Sequence, residues 1–282
     1  MTRRLASLAA LLLVACGGGP DPAPPPERPR DPTLLRFATH WDALKTRYPG
    51  PRPDASLAQP CYETPQLRVE LLRAFESLPP PPPELQGAEV LIAVEGKGTI
   101  ELGGKPQAFT DGMVAVLPAG ARGTLRGTKE VPLMVLAVRH SAPVAVTAGK
   151  PVLLRYHQLW KDPVFAGSEA GVFERQVAAI PGGVALHALQ VRGGGNLDQM
   201  AFWGFPSRVR ERRDQVFFQL SGTGSFGTSR EGNAAQAGSV VGIPATIEHY
   251  YTSYDPAGSS FLVVLAPATD PANIDDDVRV LR

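Results

Sequence analysis

The chain writes one strand–turn–strand frame twice, and this repetition constrains its fold more than any other feature. From Gln215 to His249 it reads QVFFQLSGTGSFGTSREGNAAQAGSVVGIPATIEH, and from Glu89 to Gly123 it reads EVLIAVEGKGTIELGGKPQAFTDGMVAVLPAGARG. The two segments align without a gap at a constant offset of 126 residues. Gly96 falls on Gly222, Gly98 on Gly224, Gly112 on Gly238, Val114 on Val240 and Pro118 on Pro244. These matches sit at turns, where backbone geometry narrows the choice of residue. Phe261–Leu265 lies under Val135–Arg139 at the same offset, so the repeat runs beyond the frame. Two similar β domains follow.

The frame resembles the cupin family, whose fold is a small jelly-roll β-barrel. The family's second motif, Gly-x5-Pro-x-Gly-x2-His-x3-Asn, is matched by Gly238, Pro244 and His249, while Thr246 and Ser253 replace the usual Gly and Asn. In the first copy Gly112, Pro118 and Gly120 match, and Gly123 replaces the His. The first motif, His-x-His-x3-4-Glu-x6-Gly, keeps its closing Gly as Gly96 and Gly222. Counting back from it puts Arg208, Arg210 and Gln215 at the His, His and Glu positions of the second copy, and Pro82, Glu84 and Glu89 at those of the first. The resemblance covers 65–140 and 180–266. It implies an all-β fold of two tandem cupin-type jelly-roll β-barrels, a bicupin, with an eroded metal-ligand set.

Composition agrees. Hydrophobic residues make up 43% of the 282, enough for two separate cores. Twenty-nine Gly and twenty-nine Pro suit a turn-rich β protein and oppose long helices. The formal charge is +1, with no long basic run, so nucleic acid is not an expected partner.

Residues 1–15 have the build of a lipoprotein signal peptide: Arg3 and Arg4 precede a short apolar run from Leu5 to Val14. Leu13-Val14-Ala15-Cys16 resembles the bacterial lipobox, in which the Cys is lipidated. Acyl chains on Cys16 would tether the protein to the bacterial cell envelope, at its periplasmic or outer-membrane face. Without Arg3 and Arg4 the mature chain has 26 basic against 27 acidic residues. Residues 16–32 are a Gly/Pro-rich linker unable to bury a core. Cys61 is then the remaining thiol and is read as structural.

Residues 33–64 form an N-terminal arm, weakly helical from Thr33 to Tyr48 with Leu34, Leu35, Phe37, Trp41 and Leu44 on one face. The first, degenerate barrel occupies 65–140, with strands over Gln66–Phe75, Val90–Val94, Thr99–Leu102, Met113–Leu117 and Leu133–Val138 and a turn at Gly103-Gly104. Pro79–Pro83 is a stiff connector. A bridge (141–171) carrying Tyr156, Trp160 and Phe165 leads to the second barrel over 172–268. Its strands are Val184–Val191, Val216–Leu220, Val240–Ile243 and Phe261–Leu265. Residues 269–282 read as a polar tail with at best a short terminal strand.

The chemistry turns on what stands at the ligand positions. Of the five histidines (His40, His140, His157, His187 and His249) none forms a His-x-His pair, and only His249 is at a motif position. Arginine has no lone pair for a cation, so neither a metal nor another cofactor is expected. Arg208 and Arg210 alternate along one strand face. With Gln215, Gln219 and His249 they would make a cationic mouth for a small anionic or carbohydrate-like ligand. Against this, a stretch such as RVRERR is commonly a solvated edge.

Alternation also puts His249 and Tyr251 on one face. Some metal-free epimerases of the cupin superfamily use such a pair as acid and base, but no orienting carboxylate stands at a motif position in this half. His187 reads as a satisfied core residue, and Glu89 as solvent-facing. The expected role is non-enzymatic: ligand binding in the second barrel, or an envelope scaffold. A metal-free isomerase or epimerase using His249 and Tyr251 is the alternative, and a metal-dependent cupin enzyme the third reading. Pairing through sheet edges, frequent in the family, allows a homodimer.

Overall fold

The computed structural model describes residues 37–47, 56–128, 130–141, 149–161, 171–192, 203–269, 272–273 and 275–281. The signal peptide, Cys16 and the 16–32 linker lie outside the described residues. No helix among the described residues is long and apolar enough to cross a membrane. Pro32–Arg282 form one compact unit, in which four antiparallel sheets are described.

Domain one has a six-stranded sheet in the spatial order β10 (Val152–Arg155), β7 (Met113–Leu117), β4 (Glu89–Glu95), β9 (Leu133–His140), β3 (Leu67–Ala74) and β2 (Leu57–Glu63). A three-stranded sheet accompanies it: β6 (Lys105–Thr110), β5 (Lys97–Leu102) and β8 (Arg122–Gly127). Domain two repeats the plan with β1 (Phe37–His40), β17 (Ser239–Ile243), β14 (Asp214–Ser221), β19 (Ser259–Ala266), β12 (Ala185–Val191) and β11 (Val172–Ala179). Its second sheet is β16 (Gly232–Gln236), β15 (Thr223–Gly227), β18 (His249–Ser253), β13 (Trp203–Arg210) and β20 (Val278–Val280). Each domain is therefore a two-sheet jelly roll, the fold class expected, with sheets that do not close on each other.

Three buried clusters explain the arrangement. One lies inside domain one around Leu91, Ile100, Phe109 and Val135. A second lies inside domain two around Phe205, Phe217, Phe226 and Phe261. The third holds the opposite faces of the two six-stranded sheets together, through Val90, Ile92 and Leu136 with Val216, Phe218 and Leu262. Strands of these sheets are buried on both faces, which is why they read as continuous apolar runs such as LMVLAV and FLVVLA.

The 126-residue offset holds for β7 and β17, and for β9 and β19. Gly96 and Gly222 have φ of 87° and 84°, and Gly112 and Gly238 85° and 90°. Thr246, at the position matching Gly120, also has positive φ, at 70° against 71°. A β-branched residue in this region is strained. Pro79–Pro83 runs where domain two has β13. Proline lacks the N–H that a ladder needs.

The arms are exchanged. Ala38 pairs with Val241 of domain two, and Leu153, at the bridge, pairs with Ala115 of domain one. The two contacts are equivalent: Trp41 N–H donates to the Gly238 carbonyl at 2.8 Å, and Tyr156 N–H to the Gly112 carbonyl at 2.9 Å. The expected helix from Thr33 to Tyr48 is thus confined, among described residues, to α1 (Trp41–Arg47), which buries Trp41 and Leu44. The bridge contributes a strand to domain one.

Candidate functional site

The interior of domain two gathers most of the residues singled out in the sequence. β13 and β18 pair with Arg208 opposite His249. Arg208, Arg210, Gln215, Gln219 and His249 are all buried. They fall into two groups. Arg208, Arg210, Gln215 and His249 lie towards one end, whereas Gln219 donates to the Tyr251 hydroxyl at 3.2 Å and to the Gly222 carbonyl at 3.0 Å.

The guanidinium groups have carboxylate partners that the motif positions did not predict. Arg208 lies 3.5 Å from one Glu174 oxygen and Arg210 3.3 Å from the other. Arg210 also reaches Asp277 at 2.9 Å and Asp275 at 3.4 Å. Arg213 meets Asp277 at 2.7 Å, and Arg212 meets Asp276 at 2.8 Å. The polar tail is therefore a strap: Val278–Val280 pairs with β13, and its acidic run docks on the arginines. Opposite charge joins two stretches that look unrelated in sequence, RVRERR and DDD. Reading RVRERR as a solvated edge fails for Arg208 and Arg210 and holds for Arg212 alone among the paired arginines, which is 62% exposed.

Glu174 also accepts from His187 Nδ1 at 2.8 Å, while His187 Nε2 lies 2.9 Å from Thr269 Oγ1. His187 is wholly buried and satisfied, as alternation implied. Burial pushes the Glu174 carboxyl up, but the His187 hydrogen bond and the Arg208 and Arg210 charges outweigh it and hold it far below the usual carboxylate range. Burial in turn lowers the Arg208 guanidinium from its ordinary value.

His249 sits against the rings of Phe205 and Phe217, with centroids 5.9 and 6.1 Å away. Its Nδ1 donates to the Ile247 carbonyl at 3.0 Å, which leaves Nε2 to accept from the Gln215 amide at 3.4 Å. Burial, and then the Arg208 charge, push the imidazole down to about 3. Tyr251 points its hydroxyl at Ser259, 2.7 Å away, and burial raises its phenol. His249 and Tyr251 thus share a face and the Phe205 ring without sharing a hydrogen-bond partner. Phe205, Phe217, Phe226, Phe261 and Tyr251 pack edge to face and tilted through the same space.

Domain one has an ion-pair cluster of its own. Glu89, expected in solvent, is buried: Arg122 Nε lies 2.9 Å from one oxygen and Arg139 3.1 Å from the other. Arg139 also reaches Glu70 at 3.0 Å. An apolar surround makes a buried carboxylate tolerable only when it is paired in this way. Cys61 is half-buried and burial pushes its thiol up to about 11, far from a nucleophile's range.

A metal of the kind the resemblance implies does not fit this donor set. Of Arg208, Arg210, Gln215 and His249 only the last offers a nitrogen lone pair, and Gln215 already faces it. The orphaned Arg208 Nε is a donor in search of an acceptor, the reverse of what a cation needs. No group of three or more His, Cys, Asp or Glu able to hold a metal exists among the described residues.

No protein-family model matches the chain, and no curated protein matches it in sequence. Solved structures do match. A cupin 2 conserved barrel domain protein from Leptotrichia buccalis superposes with a TM-score of 0.59 at 11% identity, over 82% of this chain and 96% of its own. The chain has a two-domain cupin fold. A salicylate 1,2-dioxygenase from Pseudoaminobacter salicylatoxidans, in complex with gentisate, gives a TM-score of 0.64 at 11% identity over 90% of this chain and 88% of its own. A glyoxylate-induced protein from Pseudomonas aeruginosa gives 0.53 at 16% identity, over 74% and 78%. At these identities the shared property of the cupin-fold proteins is architecture.

Proposed function

We propose that this cupin-fold chain is a non-enzymatic protein of the bacterial cell envelope, anchored by acyl chains on Cys16 and acting as a binding and interaction scaffold. The observation that carries this reading is the buried network of Arg208, Arg210, Glu174 and Asp277. It fills the positions from which the family resemblance would draw metal ligands. The two guanidinium groups already face the chain's own carboxylates, so a small anion has to compete with them. This weighs against the cationic mouth and in favour of a structural interior.

The epimerase alternative is disfavoured by His249. A general base works best with a pKa near the operating pH, and this imidazole is held at about 3. A metal-dependent cupin enzyme needs a ligand set that Arg208, Arg210, Gln215 and His249 do not supply. The anchor rests on the lipobox-like Leu13-Val14-Ala15-Cys16 and on the Gly/Pro-rich spacer behind it.

Two measurements test the proposal. Incubated with salicylate or gentisate, iron(II) and oxygen, the protein is expected to consume no oxygen. In cell fractionation the parent is expected with the membranes and Cys16→Ser outside them or unprocessed. Turnover of either acid refutes the non-enzymatic reading, and identical fractionation and migration of parent and variant refute the anchor.

A further inference from the structure

Through the repeated frame, β4 to β9 and β14 to β19, each position of one domain has a counterpart in the other, so their cavities can be compared. Strand register assigns Ala38 to Leu153, since Ala38 pairs with Val241 as Leu153 pairs with Ala115. The constant offset assigns Ala235 to Phe109 and Ser239 to Met113. In domain one Phe109 and Met113 are buried in the core and Leu153 packs against it. In domain two the same three places hold two alanines and a serine. Beside them lies a cleft of about 550 Å³ between β1, at the edge of one sheet, and β16, at the edge of the other; in domain one the counterparts Met113 and Leu153 border a smaller one of about 390 Å³. That volume is within the roughly 300–1,000 Å³ of small-molecule sites.

The lining states what the cleft can recognise. Among the described residues that line it there is no Asp, Glu, Lys or Arg. His40, in the lining, has both ring nitrogens engaged: Nε2 with the Ala237 carbonyl at 2.9 Å and Nδ1 with the Asp42 N–H at 3.2 Å. Asn233 shares the inward face of β16 with Ala235 and presents a half-buried carboxamide. Ser239 Oγ accepts from Gln236 N–H at 2.9 Å, which leaves its own proton to donate. At the rim stands Tyr254, 58% exposed, where domain one has Thr128. Small residues replace large ones at the floor, and a large aromatic replaces a small residue at the rim.

We propose that this cleft binds a neutral polyhydroxylated ligand, a carbohydrate, with the Tyr254 ring as its stacking platform and Asn233 and Ser239 as its hydrogen-bonding floor. A sugar ring offers a C–H face to an aromatic and hydroxyls to carboxamides, and it needs no charged partner. Among the described residues lining the cleft an anion finds no Lys or Arg. The site is separate from the buried arginine network and from Cys16, so its failure would leave the scaffold reading standing, and turnover of an acid would leave the cleft untouched.

The experiment is titration of the full chain with neutral oligosaccharides (maltotriose, cellotriose, xylotriose and triacetylchitotriose), with citrate and glucose 6-phosphate as anionic comparators. Binding is read by ligand-observed NMR and calorimetry. At least one neutral trisaccharide is expected to saturate a single site. Tyr254→Ala should weaken it by about tenfold with an unchanged melting temperature. Ala235→Phe with Ser239→Met, which restores the residues of domain one, should abolish it. If that filled variant does not fold, Tyr254→Ala and Asn233→Ala carry the test alone. No saturable binding of any neutral trisaccharide, a preference for the anions, or an affinity unchanged in both Tyr254→Ala and Asn233→Ala overturns the assignment.

Discussion

At the scale of single residues, burial decides protonation. His249 is neutral in the fold because desolvation, and then the Arg208 charge, depress its pKa from 6.5 to about 3. The unfolded chain binds a proton here through the window between those values and the folded chain does not. Stability from this group is therefore complete above pH 6.5 and is lost as pH falls towards 3, at up to about 1.4 kcal/mol per pH unit. His140, also lowered by burial, works in the same direction. Comparing urea unfolding of the parent and His249→Gln from pH 7 to pH 5 isolates the His249 part. The variant is expected to show the shallower slope; parallel slopes would contradict a buried neutral His249. The motif made this residue visible in sequence. Its environment was not visible, because Glu174 and Phe205 come from strands, and Asp277 from a turn, far along the chain.

At the scale of elements, the C-terminal strap and the edge strands show where sequence reading stops. β4, β7, β9, β14, β17 and β19 were legible because each is largely buried on both faces and carries an apolar run, as short in β14 as VFF. β6 was not, because it is an exposed strand with a proline, KPQAFT, and so lacks both alternation and hydrophobic density. β20 is three residues long and has no pattern at all. It is held by charge: Asp277 is fully buried between Arg210 and Arg213. Removing one member of a buried pair leaves the other uncompensated, so Asp277→Asn is expected to cost about 3–5 kcal/mol in chemical denaturation. A loss below about 1 kcal/mol would mean that the strap is an ornament on an independently stable β13.

At the scale of the whole molecule, two jelly rolls share a core and trade arms. The duplication was readable through β4 to β9, where the offset stays at 126. It fades in β1 and β10, whose register equivalence corresponds to a smaller spacing, with the proline run and β13 lying between. The exchange has a consequence for stability. Deleting 37–47 removes a segment that precedes domain one, yet its strand belongs to the sheet of domain two. Hydrogen exchange should therefore rise in β17 of the deletion variant and stay near the parent level in β7. A rise confined to domain one would contradict the exchanged arms.

The claim on which the functional reading depends is that the domain-two interior replaces a metal site with an ion-pair network. Metal analysis of the purified chain, with melting temperatures recorded before and after adding zinc, manganese or iron(II), addresses it most directly. The expected result is no stoichiometric transition metal and no rise in melting temperature, since binding to the native state alone would raise its stability by RT ln(1 + [L]/Kd). One tightly held ion per chain, lost together with its stabilisation in His249→Ala, would contradict it.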